Sequence, residues 1–282
     1  MIIGEKADSN QNGSQFKYSQ YFLKDPCLVR KIIDKSSIKP NDLVYEIGPG
    51  EGIITNLLVE RGVKVVAVEI DKSLCKNLFE KFREENKVKI ICNDFLKCDL
   101  PLEEKYKVFS NIPFHLTSEI ITKLTSAKNP PEDSYLILQK EVAKKIGSSY
   151  EKEKQHFLLS LLLEPWFKSE IIYRFKRTDF YPPSHVDVVL IQIKKRKKSS
   201  VKTENKQLYK DFINYGFSQW KPSLKNTFKK IFTYKQFKKL SKDSNFDLSA
   251  KPADLNSKQW LGLFNYFVIG VEEKKKKIVQ KV

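Results

Sequence analysis

Cysteine and histidine are scarce in this chain, whose 282 residues include four cysteines and three histidines. No two cysteines have the spacing of a zinc knuckle or a redox motif, so we expect reduced thiols and no metal site. The chain also has no run of eighteen apolar residues, and residues 1–14 are polar, which argues against a membrane span and a secretory signal. These absences predict a cytoplasmic protein, expected to be a monomer with no obligate protein partner.

Positive charge is unevenly distributed along the sequence. The formal net charge is +18 at pH 7, and residues 194–282 contain 23 basic but only seven acidic residues. Residues 1–193 are therefore almost neutral. A lysine-rich composition alone would spread the charge evenly, whereas this asymmetry indicates a polyanionic partner that the C-terminal part binds through phosphate contacts. The sequence thus favours a nucleic acid as the partner.

Apolar runs rich in β-branched residues alternate with helical patterns from Leu43 onward. This alternation predicts a doubly wound α/β domain, in which a mostly parallel sheet carries helices on both faces. Seven strands are expected, at residues 43–47, 64–70, 87–92, 106–110, 134–138, 168–175 and 186–194. The last of these alternates too imperfectly for a half-exposed strand, so we expect it to be mostly buried.

A charged, serine-containing segment at residues 194–200 interrupts the α/β pattern and predicts a domain boundary. Beyond it, apolar residues follow helical spacing, as at Phe228, Ile231 and Phe232, which predicts three or four short helices. We expect an α/β domain at residues 1–195, with residues 1–15 disordered, and a small, basic, all-α domain at residues 201–272. Residues 273–282 are expected to form a frayed tail.

A glycine-rich turn, Glu-Ile-Gly-Pro-Gly-Glu-Gly at residues 46–52, follows the first predicted strand. Glycines there let the backbone bend tightly and approach a ligand, although a dinucleotide would use them as readily. Glu69 lies 21 residues after Gly48, where its carboxylate can accept hydrogen bonds from ribose hydroxyls. Asp94 follows the third strand and can bind an adenine ring. The glycine spacing and the acidic Glu46 before it favour S-adenosylmethionine over a nicotinamide dinucleotide.

The segment Ser-Asn-Ile-Pro-Phe at residues 110–114 ends the fourth predicted strand, at the edge where doubly wound sheets bind ligands. An aromatic amine is a weak nucleophile because its lone pair is delocalised into the ring. The Asn111 side-chain oxygen and the Ile112 carbonyl can accept its two N–H bonds and draw the nitrogen towards a tetrahedral geometry. Pro113 fixes the turn, and Phe114 offers a face for a stacked base. These residues indicate N6-methylation of an adenine that is unpaired or extruded from a helix.

With these motifs the chain resembles the ribosomal RNA adenine N6-dimethyltransferases, and most closely the macrolide-resistance methyltransferases of 23S rRNA. The resemblance covers residues 17–267, and its marks are Tyr-Ser-Gln-Tyr-Phe-Leu at 18–23, Tyr-Glu-Ile-Gly at 45–48, Val-Glu-Ile-Asp at 68–71, Asn-Ile-Pro-Phe-His-Leu-Thr-Ser at 111–118 and Asp-Phe-Tyr-Pro-Pro at 179–183. The sibling 16S branch usually has Leu and Tyr-Asn in the fourth stretch. Ile112, the pair Phe114-His115 and the stretch Thr-Tyr-Lys-Gln-Phe at 233–237 are therefore similar to the resistance branch.

The resemblance implies a Rossmann-like S-adenosylmethionine methyltransferase domain at residues 1–195 and an RNA-binding domain at residues 201–272. It implies transfer of one or two methyl groups to a single 23S rRNA adenine at the entrance of the peptide exit tunnel. That modification would confer macrolide, lincosamide and streptogramin B resistance. The implied cofactor-binding residues are Tyr21, Leu23, Gly48, Gly50, Glu69, Ile70, Asp94, Phe95 and Asn111. The implied catalytic residues are Asn111, Ile112, Pro113, Phe114 and Phe180, the last as an aromatic that sandwiches the target base.

One departure from the family concerns Tyr21, which stands where the family usually has Asn or His, so only its backbone contact is carried over. Three other functions are compatible with the same motifs. The first is a 16S rRNA adenine dimethyltransferase of ribosome assembly, and the second is a catalytically idle RNA-binding relative. The third is a DNA adenine methylase, which would use the same catalytic chemistry.

Overall fold

The computed structural model describes residues 21–147, 157–218 and 221–280. The chain divides into two compact units. The first unit comprises the chain up to Lys140 together with Ile172–Ile191, and the second unit comprises Glu141–Ile171 and Gln192–Val282. The domain limits expected from the sequence stay a prediction, and the compact units group residues 141–171 with the C-terminal residues. The disorder expected for residues 1–15 lies outside the described residues.

The described residues contain nine strands: β1 (Phe22–Leu23), β2 (Leu43–Ile47), β3 (Lys64–Glu69), β4 (Val88–Cys92), β5 (Lys107–Asn111), β6 (Asp133–Gln139), β7 (Phe167–Arg174), β8 (Phe180–Tyr181) and β9 (Val188–Lys195). Seven of them form one sheet in the order β4-β3-β2-β5-β6-β9-β7, and β1 pairs antiparallel with β8 outside it. The pairs β2–β3, β2–β5, β3–β4 and β5–β6 are parallel. The predicted seven-stranded, mostly parallel α/β fold is confirmed, and β9 is mostly buried, as expected.

The strand order reverses at β2, which has β3 on one side and β5 on the other. The chain therefore runs from β2 through β3 to β4 at one edge of the sheet, and then crosses back to β5 and β6 on the other side of β2. In doubly wound sheets, ligands bind in the crevice outside the carboxyl ends of the strands at such a reversal. Ile47 ends β2 and Asn111 ends β5, so the two predicted motifs meet there.

Four helices of the first unit pack on this sheet: α1 (Pro26–Asp34), α2 (Ile53–Glu60), α3 (Lys72–Lys81) and α4 (Thr117–Ser126). Asp71 begins α3 by accepting hydrogen bonds from the backbone N–H groups of Ser73 and Leu74, at 2.7 and 3.1 Å. Because Asp71 follows β3 within two residues of Glu69, this cap fixes the chain direction right after the predicted ribose-binding carboxylate.

The expectation that all cysteines are reduced thiols is wrong for two of them. A disulfide joins Cys75 in α3 to Cys92 at the end of β4, with their Cα atoms 5.9 Å apart. Their sequence separation of 17 matches no known cysteine motif, but the turn from α3 into β4 returns the chain alongside the helix and brings the two positions together. Cys27 is exposed and Cys98 is buried, and both are free thiols.

The second unit is mainly helical. Its helices are α5 (Lys140–Ile146), which begins on the last residue of the first unit, α6 (Leu158–Leu163), α7 (Lys206–Ser218), α8 (Leu224–Thr227), α9 (Tyr234–Asp243), α10 (Ser257–Gly270) and α11 (Glu273–Val279). No strand occurs in the described part of residues 201–280, in line with the expected all-α region. Buried aromatic rings fill its core, among them Phe212, Phe228, Trp260, Phe264 and Phe267. None of the described helices is both long and apolar enough to cross a bilayer.

The C-terminal tail differs from the expectation. Residues 273–279 form α11 instead of a frayed end, and Val279 is fully buried in the aromatic core. Lys276 donates hydrogen bonds to the Val268 carbonyl and to the Glu273 carboxylate, both at 2.7 Å. The four consecutive lysines at residues 274–277 suggested a solvated end. The apolar Ile278 and Val279 that follow them anchor the helix instead.

Candidate active site

The glycine-rich turn lies directly after β2. Gly48 and Gly50 have φ angles of +64° and +59°, in the left-handed region that side chains rarely adopt. The Gly48 N–H donates to the Val68 carbonyl at 2.9 Å, which ties the turn to the end of β3. A Cβ atom on Gly50 would lie 2.8 Å from the Phe22 ring. Any side chain at residue 50 would therefore strain the backbone and push on Phe22.

Glu69 is held by the backbone at the end of β3. The side chain is 2% exposed, and its carboxylate accepts hydrogen bonds from the N–H groups of Gly50 (3.1 Å), Ile70 (2.9 Å) and Asp71 (3.0 Å). An ionised carboxylate has about four lone-pair sites, so acceptor capacity remains for a further donor such as a hydroxyl. The predicted ribose contact thus rests on a carboxylate whose position is already fixed.

Glu46 is a second buried acid beside the glycine turn, and the sequence reasoning did not anticipate its state. Its side chain is 1% exposed and accepts a hydrogen bond from the Thr55 hydroxyl at 2.5 Å. Burial raises the pKa of Glu46 to about 8, and the nearby charge of Glu69 adds to the rise while the Thr55 hydrogen bond opposes it. Burial therefore favours the protonated form of Glu46 at neutral pH.

Asp94 and Phe95 form the next wall of the site. Asp94 accepts a hydrogen bond from the Leu96 N–H at 2.9 Å and so caps the short helical turn Phe95–Lys97. The Lys123 ammonium of α4 lies 5.6 Å from the centroid of the Phe95 ring and donates to the Leu96 carbonyl at 3.0 Å. These contacts hold the loop after β4 against α4.

Asn111 ends β5 with its amide oriented by the protein. The Nδ2 group donates to the Tyr21 carbonyl at 2.6 Å, which commits the nitrogen to that contact. With the nitrogen turned towards Tyr21, the side-chain oxygen is the other end of the amide, which is compatible with the predicted acceptor role. The Ile112 N–H donates to the Ile137 carbonyl at 3.3 Å, and Pro113 follows with a φ of −59°.

Aromatic rings surround this asparagine. The Tyr21 ring centroid lies 5.6 Å from that of Phe114 and 6.5 Å from that of Phe180. Phe180 has no exposed surface, and Phe175 packs against it at 5.3 Å. Its neighbour Tyr181 is 68% exposed, because successive residues of the short strand β8 point to opposite sides.

All of these elements enclose one cavity of about 700 Å³. It is lined by every residue predicted from the sequence except Phe180, namely Tyr21, Leu23, Gly48, Gly50, Glu69, Ile70, Asp94, Phe95, Asn111, Ile112, Pro113 and Phe114. Tyr181, which the sequence reasoning did not select, lines the cavity in place of Phe180. The volume is in the usual range for small-molecule sites. Within the described residues, no group of three or more His, Cys, Asp or Glu side chains is placed to hold a metal ion.

The donor set fits a nucleoside cofactor. The turn at Gly48 and Gly50 gives backbone access, Glu69 offers a fixed carboxylate for a ribose diol, and Phe95 offers an apolar wall for a flat ring. These residues follow three neighbouring strands, β2, β3 and β4, so the cavity runs along the carboxyl edge of the sheet. The Asn111–Phe114 segment on β5 borders its other end.

Known proteins are similar to this chain over most of its length. A family model described as ribosomal RNA adenine dimethylase matches residues 11–268. A ribosomal RNA small subunit methyltransferase A from Fusobacterium nucleatum is 37% identical over 215 residues, which cover 74% of this chain and 80% of the relative. A protein of the same name from Crocosphaera subtropica is 30% identical over 264 residues, which cover 89% of this chain and 97% of the relative.

Two solved structures share the fold. The 23S rRNA methyltransferase ErmE superimposes with a TM-score of 0.76 at 24% identity, covering 88% of this chain and 99% of that one. A dimethyladenosine transferase from Plasmodium falciparum gives a TM-score of 0.68 at 21% identity, covering 88% of this chain and 98% of that one. Because the family match spans every segment that lines the cavity, the chain belongs to the ribosomal RNA adenine dimethylase family and is an rRNA adenine methyltransferase.

Proposed function

We propose that the protein uses S-adenosylmethionine to mono- or dimethylate the N6 atom of one adenine in 23S rRNA. The observation that carries this proposal is the Asn111 amide, which the Tyr21 carbonyl holds with its oxygen available, in the cavity that also contains Gly48 and Glu69. The cofactor supplies a methyl group activated by a sulfonium centre. Gly48, Gly50, Glu69 and Asp94 would hold it, since their backbone and carboxylate groups match a ribose and an adenine.

Catalysis would rest on orientation more than on proton transfer. The Asn111 side-chain oxygen and the Ile112 carbonyl would accept the two N–H bonds of the target amine and direct its lone pair into the cavity. The Ile112 N–H donates to the Ile137 carbonyl, which holds the Asn111–Ile112 peptide directly before this acceptor. Phe114 would stack on the base, while the Pro113 turn keeps that ring beside Asn111. No strong base is required, because the amine becomes acidic once it is alkylated.

The choice of 23S rRNA is supported by Ile112, by the pair Phe114-His115 and by the stretch at residues 233–237, which are similar to the macrolide-resistance branch. Methylation at the entrance of the exit tunnel would then give macrolide, lincosamide and streptogramin B resistance. The chain would act as a monomer, since the first unit alone supplies every residue of the cavity.

Methylation of 16S rRNA is the second candidate, and a specific observation favours it. The relatives at 37% and 30% identity are both named for the small ribosomal subunit. The ErmE likeness, at 24% identity, bears on the fold alone. The two candidates share the cofactor and the chemistry and differ only in the RNA that delivers the adenine.

The experiment is to express the protein in a macrolide-sensitive bacterium and to map methylated adenines in both rRNAs. We expect a new modified adenine in 23S rRNA together with erythromycin resistance, and loss of both in Asn111→Ala. Modification confined to 16S rRNA would replace the first candidate by the second. A soluble protein that modifies neither RNA, and binds no S-adenosylmethionine in calorimetry, would point to the idle RNA-binding relative.

A further inference from the structure

One stretch of the second unit is rich in lysine and contains no acidic residue. Eight lysines and no Asp or Glu occur between Lys221 and Lys242, a stretch that contains α8 and all of α9 except its last residue, Asp243. Seven of these lysines are exposed, and the eighth, Lys225, is half-buried. The whole stretch therefore presents uncompensated positive charge.

Helix α9 arranges part of this charge on one face. Lys235, Lys238, Lys239 and Lys242 follow the spacing of three, one and three residues that places side chains on the same side of a helix, and all four are exposed. Phe237 and Leu240 on the opposite side are buried in the aromatic core of the second unit. The packing of α9 thus fixes the direction in which the lysine face, residues 235, 238, 239 and 242, points.

An exposed aromatic ring borders the lysine face. Tyr234, the first residue of α9, is 61% exposed, and the Lys225 ammonium of the neighbouring helix lies 5.9 Å from its ring centroid. The start of α9 is held by a capping box, in which Thr233 and Gln236 exchange hydrogen bonds between side chains and backbone. The ring is therefore presented to solvent from a fixed position, with a cation beside it.

The lysine face differs from an ordinary solvated surface in its ion pairs with carboxylates. On α11 of the same unit, Lys276 forms an ion pair with Glu273 at 2.7 Å. Among the described residues, none of the eight lysines from 221 to 242 forms an ion pair with a carboxylate. The exposed Tyr234 ring beside these lysines adds an aromatic face to the positive charge.

We propose that Tyr234 and the lysine face form a docking surface for an unpaired segment of the RNA substrate. The lysines would contact successive phosphates, and an unpaired base would stack on the free side of the Tyr234 ring. The occupant is RNA because the surface combines phosphate-binding cations with a stacking ring, as single-stranded nucleic-acid sites do. This inference rests on the proposed function only in that the substrate is an rRNA, and it holds for either ribosomal subunit.

The charge component is tested by the salt dependence of RNA binding to the full chain. The probe is a labelled RNA hairpin with an unpaired loop, followed by fluorescence anisotropy between low and moderate salt. On a single strand, each phosphate contact contributes about −0.7 to the slope of log K against log salt. The triple variant K235A/K238A/K239A should therefore have a slope that is less negative by about 2. The matched control is K258A/K274A/K277A, which removes three exposed lysines from other helices of the same unit. An equal flattening in the control would overturn the proposal.

The stacking component is tested with Tyr234→Ala and Tyr234→Phe. Binding of the hairpin is compared with binding of a fully paired RNA that has the same number of phosphates. We expect Tyr234→Ala to lose about tenfold in its preference for the unpaired loop, and Tyr234→Phe to keep the preference because the ring remains. An unchanged preference in Tyr234→Ala, or equally tight binding of anionic lipid vesicles by the unaltered chain, would overturn the proposal. Methyl transfer by the unaltered chain is measured separately, so a failure of the proposed function is distinguishable from a failure of this surface.

Discussion

The binding sites proposed for the two units differ in their physical basis. In the first unit, the cavity depends on individual positions: the left-handed turn at Gly48 and Gly50, the Glu69 carboxylate held by three backbone N–H groups, and the Asn111 amide held by a carbonyl. In the second unit, the lysine face depends on the number and sign of its side chains, and within the described residues none of its lysines forms an ion pair with a carboxylate. One site is defined by geometry and the other by charge.

This difference determines what a single substitution can do. A position that is fixed by backbone geometry cannot be replaced by its neighbours, so one change there has a large effect. Phosphate contacts add nearly independently, so one change on the lysine face has a small effect and several together have a large one. The contrast can be tested in the stability of the helical core of the second unit and in the activity of the cavity of the first unit.

The largest effect is expected for Trp260→Ala in the second unit. Trp260 is fully buried and contacts the rings of Phe212, Phe217 and Phe228, so its removal leaves a cavity worth about 3–5 kcal/mol of unfolding free energy. Guanidinium unfolding followed by circular dichroism measures the loss. Ile269→Ala on the same helix is the control, since Ile269 is 87% exposed and should change stability by less than about 0.5 kcal/mol. Equal losses in both variants would mean that the aromatic core does not hold the second unit together.

The next effect is expected for Asn111→Ala in the first unit. Removing the acceptor oxygen should lower kcat by about 10²–10³, while S-adenosylmethionine affinity changes little, because the glycine turn and Glu69 remain. Single-turnover methyl transfer and calorimetry measure the two quantities. Asn129→Ala is the control, since Asn129 also donates to backbone carbonyls, at 2.9 and 3.2 Å, but does not line the cavity. A variant with a near-normal rate would remove Asn111 from the chemistry.

An effect that is smaller per pH unit is expected from the proton on Glu46. Burial holds its pKa at about 8 in the folded chain against 4.5 in the unfolded chain, so the folded state binds more protons between these two values. Its contribution to stability is therefore fully present below pH 4.5 and is lost as the pH rises to about 8, by about 1 kcal/mol per pH unit. Urea unfolding at several pH values measures this slope. Glu46→Gln, which cannot titrate, should have the flatter slope, and parallel slopes would contradict the assignment.

The sequence predicted the parts of the molecule that depend on fixed positions. The strands followed from the alternation of apolar runs, and the cavity followed from glycine, Glu69, Asp94 and Asn111 at the ends of consecutive strands, because parallel strands bring their carboxyl ends to one edge. The same reasoning could not find the Cys75–Cys92 disulfide, since the two positions have a sequence separation of 17 and only the packing of α3 brings them together. The pKa of Glu46 was also out of reach, because it depends on burial in three dimensions.

A further difference between the sequence-based prediction and the structure concerns which of two neighbouring residues, Phe180 or Tyr181, lines the cavity. The motif at residues 179–183 suggested Phe180 as the base-contacting aromatic, but β1 pairs with β8 so that Leu23 faces Phe180 and Phe22 faces Tyr181. Neighbouring residues of a strand point to opposite sides, so this register buries Phe180 and exposes Tyr181. The stacking role of Phe180 stays a prediction, and Tyr181 is the competing assignment.

The smallest effect, and the one that decides between these two residues, is expected for Tyr181→Ala. Loss of an exposed ring at the cavity should raise the KM for RNA by about fivefold through lost stacking, with little change in kcat or in cofactor affinity. Steady-state kinetics with an rRNA fragment measures it, and Phe79→Ala is the control because Phe79 is an exposed ring outside the cavity. If Tyr181→Ala has no effect while Phe180→Leu raises the KM, the buried ring must become accessible when RNA binds. In that case the geometry of the first unit is set partly by its substrate, and the contrast with the second unit is weaker than the burial of Phe180 indicates.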